Sequence, residues 1–447
     1  MMIGVEFLDS EDVLEVYSQD ASRWYKVKPL GVFFPKNEED VVKCVEFCAK
    51  RGVPITPRGG GSGLSGGAVP EKNGIVISTE KMKSFLIEDG FAIAYSGAIT
   101  GEIEKEAKKF GYTIPFQPSS LNFSTIGGNI AADCAGLRSV KYGSARDHIE
   151  EIEVVTPTGK IIKLKDSLSM MFAGSEGTLG IITKVKIRLS KLKKRKALIF
   201  SFSSVKDAIG FSKEVRRFNP SAIEFIDEKS GEVMKIDENE ETPKKIKSYI
   251  IVEIEEDEKG YIDFSEQEII IMAKSFSGKK IDVPDIWERR KKLGPALSKI
   301  KPFKMNEDVV LPLSKVERFL EFAEDIDKKR INCLVFGHIG VGILHTNLMF
   351  GGGEEKEAEK AKSDLFYFVI ENGGAITGEH GTGLEKINFL EKELGENTLE
   401  FMWELKSKLD PHNIMNPSKI PMPKRGCIDT LMSLTKPEYN TKSNNAL

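Results

Sequence analysis

A chain of 447 residues, 40% hydrophobic and 30% charged, is too long for one comfortable core and too polar for a membrane bundle, so it predicts two or three globular domains. Its 65 basic and 68 acidic residues leave a formal charge of -3, which gives no electrostatic case for a nucleic-acid partner. Five scattered cysteines, Cys44, Cys48, Cys134, Cys333 and Cys427, exclude a disulfide framework and fit a reducing compartment.

The opening Met1-Met2-Ile3-Gly4-Val5-Glu6 lacks a basic region followed by an apolar run, so neither a signal peptide nor a spanning helix is expected. Val32 to Phe34 reads as a strand. Asn37 then caps a helix running to Lys50, with Val41, Cys44, Val45 and Cys48 on one apolar face. Ile75 to Ser78, Ala92 to Tyr95, Ile152 to Val155 and Ile181 to Ile187 are further strands, and Ile103 to Phe110 is helical.

Between these elements lie three small-residue segments. The first, Arg58-Gly59-Gly60-Gly61-Ser62-Gly63-Leu64-Ser65-Gly66-Gly67, contains a formal G-x-G-x-x-G. A nicotinamide-type Rossmann site needs a helix to open there, yet Ala68-Val69-Pro70-Glu71 follows, so that reading fails on context. The missing Gly-Lys-Ser/Thr ending excludes a nucleotide triphosphate loop. A backbone nest for a pyrophosphate remains. The second and third segments are Ser124 to Ala132 and Gly174 to Thr183. Three places of close backbone approach in one domain suggest a long ligand such as a dinucleotide.

The basic run Lys191 to Lys196 marks the domain junction, read as a solvated linker with a peripheral anionic-membrane patch as the weaker alternative. A second α+β unit follows, with a charged loop from Glu238 to Lys247. Asn332 to Phe336 and Leu344 to Phe350 form two strands around Gly340-Val341-Gly342, a hairpin with His338 at the end of one strand and His345 at the start of the next. Alternation places His345, Asn347 and Met349 on one face. Thr377-Gly378-Glu379-His380-Gly381 adds a carboxylate and a third imidazole. In an extended segment the Glu379 and His380 side chains diverge. Two imidazoles and a carboxylate are the ligand set of a catalytic metal with open positions, and His380 is left as a base. For any single histidine a hydrogen-bonded structural role is the commoner outcome; three in two patterns reverse that preference. Glu385 to Leu409 reads as helix, and residues 421–447 as a polar, loosely ordered tail.

Taken together, the glycine loop, Ile126-Gly127-Gly128-Asn129-Ile130-Ala131, Lys141-Tyr142-Gly143, the Gly174 to Thr183 block, the two histidine motifs and Leu409-Asp410-Pro411 through Asn416-Pro417 resemble a known family in their order. The first 190 residues look like the FAD-binding domain of the vanillyl-alcohol-oxidase (PCMH) type. The chain to about Ile420 is similar to the branch containing D-lactate dehydrogenase, the glycolate oxidase FAD subunit and D-2-hydroxyglutarate dehydrogenase.

The resemblance implies an α+β architecture. A two-subdomain FAD-binding domain spans 1–192, an α+β cap with an antiparallel sheet spans 193–384, and a helical segment at 385–420 packs back on the FAD domain. It implies that Arg58, Gly59, Gly60, Gly61, Ser62 and Gly63 hold the FAD pyrophosphate. Pro118, Ser119, Gly127, Gly128, Ala131 and Ile182 would line the flavin and adenine. His338, His345 and Glu379 fall on the family's metal ligands, for a divalent ion such as Zn or Mn, His380 on its base, and Arg290 on its substrate-carboxylate arginine. Asn347 falls on a further polar active-site position, and Lys304 is a second carboxylate partner of unsettled register. FAD is expected to be noncovalent, because the first glycine loop contains no histidine or cysteine. Val341, Ile343 and Gln117 depart from the family pattern, and the two apolar residues put metal dependence most in doubt.

The activity implied is oxidation of a small D-2-hydroxy acid, of the D-lactate or glycolate class, to the 2-oxo acid, with hydride passing to flavin N5. Electrons then leave to an external acceptor: a quinone, a cytochrome, oxygen or another protein, since no iron-sulfur cysteine set is present. The alternative of another class is a flavin-carrying subunit of an electron-transfer complex without hydroxy-acid chemistry of its own. A cytoplasmic location, with peripheral membrane contact and a homodimer as open options, completes the expectation.

Overall fold

The computed structural model describes residues 6–22, 25–236, 246–256, 263–297 and 299–420. Most of the charged loop expected from Glu238 to Lys247, and the tail 421–447, fall outside the described residues. The architecture is α+β.

The N-terminal half holds, besides the short pair Tyr112–Thr113 with Ser190–Lys191, two larger sheets among the described residues. Val32–Phe33, Ile75–Ser78 and Ile55–Arg58 form a small parallel sheet, crossed by the helix Glu38–Ala49. Asn37 caps that helix by accepting from the Asp40 amide at 2.9 Å, a contact of about 1 kcal/mol. The helix buries Val41, Cys44, Val45 and Cys48, the face its 3.6-residue period predicts. A five-stranded antiparallel sheet runs Phe85–Glu88, Phe91–Tyr95, Ile181–Arg188, Ile149–Val155, Ile161–Lys165. Four described cysteines, Cys44, Cys48, Cys134 and Cys333, are unpaired and buried.

The second half is built on one seven-stranded antiparallel sheet, ordered Lys279–Ile281, Arg195–Phe202, Ser248–Glu255, Ala222–Asp227, Asn332–Gly337, Ile343–Phe350, Phe303–Val310. The expected histidine hairpin sits in its middle. Leu344, Leu348 and Phe350 face one core, while Met349 joins Leu334, Phe336 and Ile226 in the other, so the predicted alternation holds along this strand. Gly342 makes the hairpin turn at φ 78°, where a Cβ would lie 2.3 Å from the Leu311 carbonyl oxygen; only glycine fits.

One helical expectation is corrected. Glu385 to Leu409 is not continuous, but splits into a short turn at Ile387–Phe389, a helix Leu390–Leu394 and a longer helix Glu396–Leu409. Gly395, at φ 80°, breaks the run because its backbone leaves the helical region. After the last helix, Ile55 donates to the Ile414 carbonyl at 2.7 Å and Asn416 to the Ile55 carbonyl at 2.9 Å. The C-terminal segment thus adds an edge to the first sheet. No helix among the described residues is long and apolar enough to cross a membrane.

Candidate functional site

A cavity of about 1060 Å³ lies between the two halves. The small-residue segments shape it by what they lack. A Cβ at Gly60 would sit 2.2 Å from the Phe123 carbonyl oxygen, and one at Gly127 would sit 2.4 Å from the Ser96 Cβ. Thr125 caps the turn that begins at Ile126 by accepting from the Gly128 amide. The Gly174 and Glu176 amides donate to the Ile130 and Ala131 carbonyls, joining the third segment to the second. All the residues expected to hold the cofactor, Arg58 through Gly63, Pro118, Ser119, Gly127, Gly128, Ala131 and Ile182, line this one cavity. The Arg58 guanidinium is anchored at one end by the Gln19 carbonyl at 2.8 Å and lies over the Tyr17 ring.

The second half supplies the opposite wall, including Lys304, Asn306, Glu379, His380 and Glu385. Here His338, His345 and Glu379 converge, with one donor atom from each lying within 4.8 Å of the others. Both Nε2 atoms face the same carboxylate oxygen: Glu379 Oε1 is 3.6 Å from His338 and 3.4 Å from His345. Buried Glu224 engages the opposite ring nitrogen of His338, Nδ1, which fixes the ring and turns Nε2 toward the cluster. Burial works against charge on His338, but Glu224 overrides it and raises the imidazole to about 10. His345 has no such partner, and burial drives it down to about 3. Burial opposes ionisation of Glu379 as well, yet the hydrogen bond and charge of His338 bring it down to about 2.

The sequence expectation that Glu379 and His380 diverge is corrected. The segment is wrapped, not extended: Asp308 Oδ2 accepts from the Gly378, Glu379 and His380 amides at 2.8, 2.6 and 2.9 Å. The two side chains therefore share one cluster, with Glu379 Oε1 3.8 Å from His380 Nε2. The His380 ring stacks on His345 with centroids 5.4 Å apart. Its Nδ1 lies 3.3 Å from Asp308 Oδ1, close enough for charge attraction but without hydrogen-bond alignment. Burial disfavours the imidazolium, and the Asp308 carboxylate outweighs it, so His380 is raised overall. Asp308 itself is held well below the usual carboxylate range: burial opposes this, but His380 and Lys386, which pairs with its Oδ1, prevail.

Arg290 is used differently from expectation. Its Nε and Nη2 both meet Glu224 Oε2, at 2.8 and 2.7 Å, its plane lies over Phe336, and it is not among the cavity-lining residues. Lys304 does line the cavity, with Nζ donating to the Gly294 carbonyl at 3.1 Å. Asn347 is fully buried behind His345, its Nδ2 donating to the His345 carbonyl while Oδ1 has no partner. Ile343 packs against Gly378, so the apolar departure in the hairpin supports the loop that carries Glu379. Gln117 bridges Glu104, Thr113 and Arg138, next in sequence to cavity-lining Pro118. Sequence reasoning missed Glu224, Asp308, Glu176 and Lys386. A lone carboxylate inside an apolar strand, Ala222-Ile223-Glu224-Phe225-Ile226, was the available signal for the first.

A dinucleotide-sized cleft walled by glycine segments and closed by an imidazole cluster defines a flavin-linked oxidoreductase site. Residues 191–420 match the C-terminal domain of FAD linked oxidases, and residues 29–165 match an FAD binding domain. The chain belongs to the FAD-linked oxidase family. It is 32% identical to a glycolate oxidase subunit GlcD from Bacillus subtilis (strain 168), over 93% of each chain. It is 30% identical to a D-lactate dehydrogenase from Anaerostipes hadrus, over 92% of this chain and 94% of the relative. Among solved structures, p-cresol methylhydroxylase superposes with a TM-score of 0.78 at 15% identity, over 92% of this chain and 93% of that one. That likeness establishes a shared fold.

Proposed function

We propose that this enzyme oxidises a D-2-hydroxy acid of the D-lactate or glycolate class to the 2-oxo acid, and passes the electrons to an external acceptor such as a quinone, cytochrome or protein. The observation that carries this reading is the stacking of His380 on the His338, His345 and Glu379 cluster at the wall of the glycine-lined cavity. Similarity to relatives named glycolate oxidase subunit, D-lactate dehydrogenase and D-2-hydroxyglutarate dehydrogenase supports the substrate class.

The cavity fits noncovalent FAD on two counts: its volume, and glycine positions where a side chain would collide with backbone. Bound there, FAD supplies the two-electron acceptor. The cluster fits a divalent metal such as Zn or Mn, because both Nε2 atoms converge on one carboxylate and Glu224 braces His338 from behind. His338, His345 and Glu379 would hold it.

In this reading His380 takes the substrate hydroxyl proton at Nε2, and Asp308 stabilises the resulting imidazolium and fixes the loop through three amides. Lys304 is the cation that faces the substrate carboxylate. Arg290 acts one step back, holding Glu224 and through it His338. Asn347 packs behind His345 and keeps its ring in place. We read the chain as cytoplasmic because its described cysteines are free and buried.

Anaerobic mixing of the holoenzyme with D- and L-2-hydroxy acids is the test: bleaching of the flavin by a D acid is expected. His380→Ala should retain FAD yet slow bleaching by roughly a hundredfold or more. Bleaching at wild-type rate in that variant removes His380 from the base role, and none with any hydroxy acid in the wild type leaves only a flavin-carrying subunit.

A further inference from the structure

The glycine motifs do not account for the whole of the cofactor wall. Ala21 and Ser22 also line the cavity, although they come from an N-terminal segment that carries no motif. That segment is stitched to both ends of the first glycine segment. The Ala21 amide donates to the Gly61 carbonyl at 3.0 Å, Arg58 Nη1 donates to the Gln19 carbonyl at 2.8 Å, and the Ala68 amide donates to Asp20 Oδ2 at 3.4 Å. Asp20 Oδ1 accepts from the Ser22 amide at 3.0 Å and so fixes the backbone just where it meets the cavity. The Ser22 hydroxyl takes part in none of these contacts. Its Oγ is buried and has no hydrogen-bond partner among the described residues.

A buried hydroxyl left unpaired is costly, and native proteins keep few of them without a use. Serine has three staggered wells at χ1, so rotation about one bond carries Oγ to the cavity that the residue already lines. Its neighbour Ala21 is bonded to Gly61, inside the backbone nest assigned above to the pyrophosphate. We infer that Ser22 is a cofactor-binding residue, its hydroxyl donating to a pyrophosphate oxygen of FAD, and that the segment Ser18 to Ser22 forms part of the phosphate site. The inference concerns the cofactor alone and stands whichever acid the enzyme oxidises. It also sets two states of the protein against each other. Without FAD the hydroxyl is a buried group with no compensation; with FAD it is a donor to a charged oxygen. Removing it relieves the first state and weakens the second.

The experiment compares full-length wild type and Ser22→Ala, each as apoprotein and refilled with FAD. Flavin fluorescence on refilling should show FAD bound roughly 10- to 100-fold more weakly by the variant, the loss of one hydrogen bond to a charged group. Competition by ADP, which carries the same pyrophosphate, should weaken by a similar factor. Thermal melting supplies a readout independent of turnover. The Ser22→Ala apoprotein should melt at or above the wild-type apoprotein, whereas with equal excess FAD the variant should melt below wild type, because ligand stabilisation falls as Kd rises. A hydroxyl with only a structural role would lower both forms alike. FAD affinity within about twofold of wild type, below the loss of even a weak hydrogen bond, overturns the inference. So does an apoprotein destabilised as much as the loaded form, or a loss seen with FAD and absent with ADP.

Discussion

The two walls of the cavity are made by opposite means. On the N-terminal side the surface is shaped by absent side chains, at glycines whose neighbours are backbone atoms 2.2 to 2.4 Å from where a Cβ would be, as at Gly60, or a side-chain carbon, as at Gly127. On the other side it is shaped by buried charge: Glu224, Asp308 and Lys386 are each at most 1% exposed, and each is paired. Steric exclusion tolerates almost no substitution but costs little electrostatically. Buried charge holds side chains at fixed angles, yet only while every partner stays in place.

The sharpest way to break this contrast is at the joint between the walls. Arg138 pairs with buried Glu253 through Nε and Nη2 at 2.7 and 3.0 Å, and reaches Gln117, the neighbour of cavity-lining Pro118, at 2.7 Å. Arg138→Ala should cost about 3 kcal/mol in denaturant unfolding, because buried Glu253 loses its two-point partner and keeps only the Ser221 hydroxyl at 2.7 Å and Arg195 at 3.8 Å. A loss below about 1 kcal/mol would show that water already screens the pair. Next in size is Glu224→Gln, which leaves the His338 ring less firmly oriented. Metal content by elemental analysis, and affinity by competition with a chelator, should fall about 10- to 100-fold. An unchanged affinity would mean the triad binds without its brace.

On the other wall, Gly60→Ala pushes a methyl into the Phe123 carbonyl. Weakening of FAD binding by about 1–3 kcal/mol is expected, read by fluorescence on refilling the apoprotein. Retained affinity would show that the cradle is softer than its contacts imply. The last case concerns Glu307, whose two carboxylate oxygens are buried without partners and whose pKa burial, with Glu385 beside it, pushes up to about 8 from 4.5. The folded state then holds a proton that the unfolded chain releases. Its contribution to stability is full below about pH 4.5 and is lost as pH rises toward about 8. Glu307→Gln should therefore flatten the decline of the melting temperature across that window; identical slopes in both proteins would exclude Glu307 as its source.

Much of this was legible in the sequence. Asn37, the apolar period of Val41, Cys44, Val45 and Cys48, and the alternation around His345 and Met349 are local signals, and each appeared where the period placed it. The small-residue segments were equally readable, because a backbone that must approach something closely announces itself by composition. What escaped depends on contacts distant in sequence. Asp308 bends the Glu379 segment from 71 residues away, and Glu224 reaches His338 across 114. No local pattern tells an extended strand from a loop wrapped on a remote carboxylate. The break at Gly395 was a different kind of miss, since glycine inside a helical period stops the helix only when its φ turns positive.

One contact carries a larger consequence than its size suggests. Ser65, inside the first glycine segment, donates to the main-chain oxygens of His380 and Gly381, and Glu176, in the third, accepts from the Thr382 and Gly383 amides at 2.7 and 2.9 Å. The floor that would carry the nucleotide and the segment that carries His380 are thus laced to each other. If His380 is the base proposed above, these four hydrogen bonds make the seating of the prosthetic group and the placing of that base linked equilibria, each favouring the other.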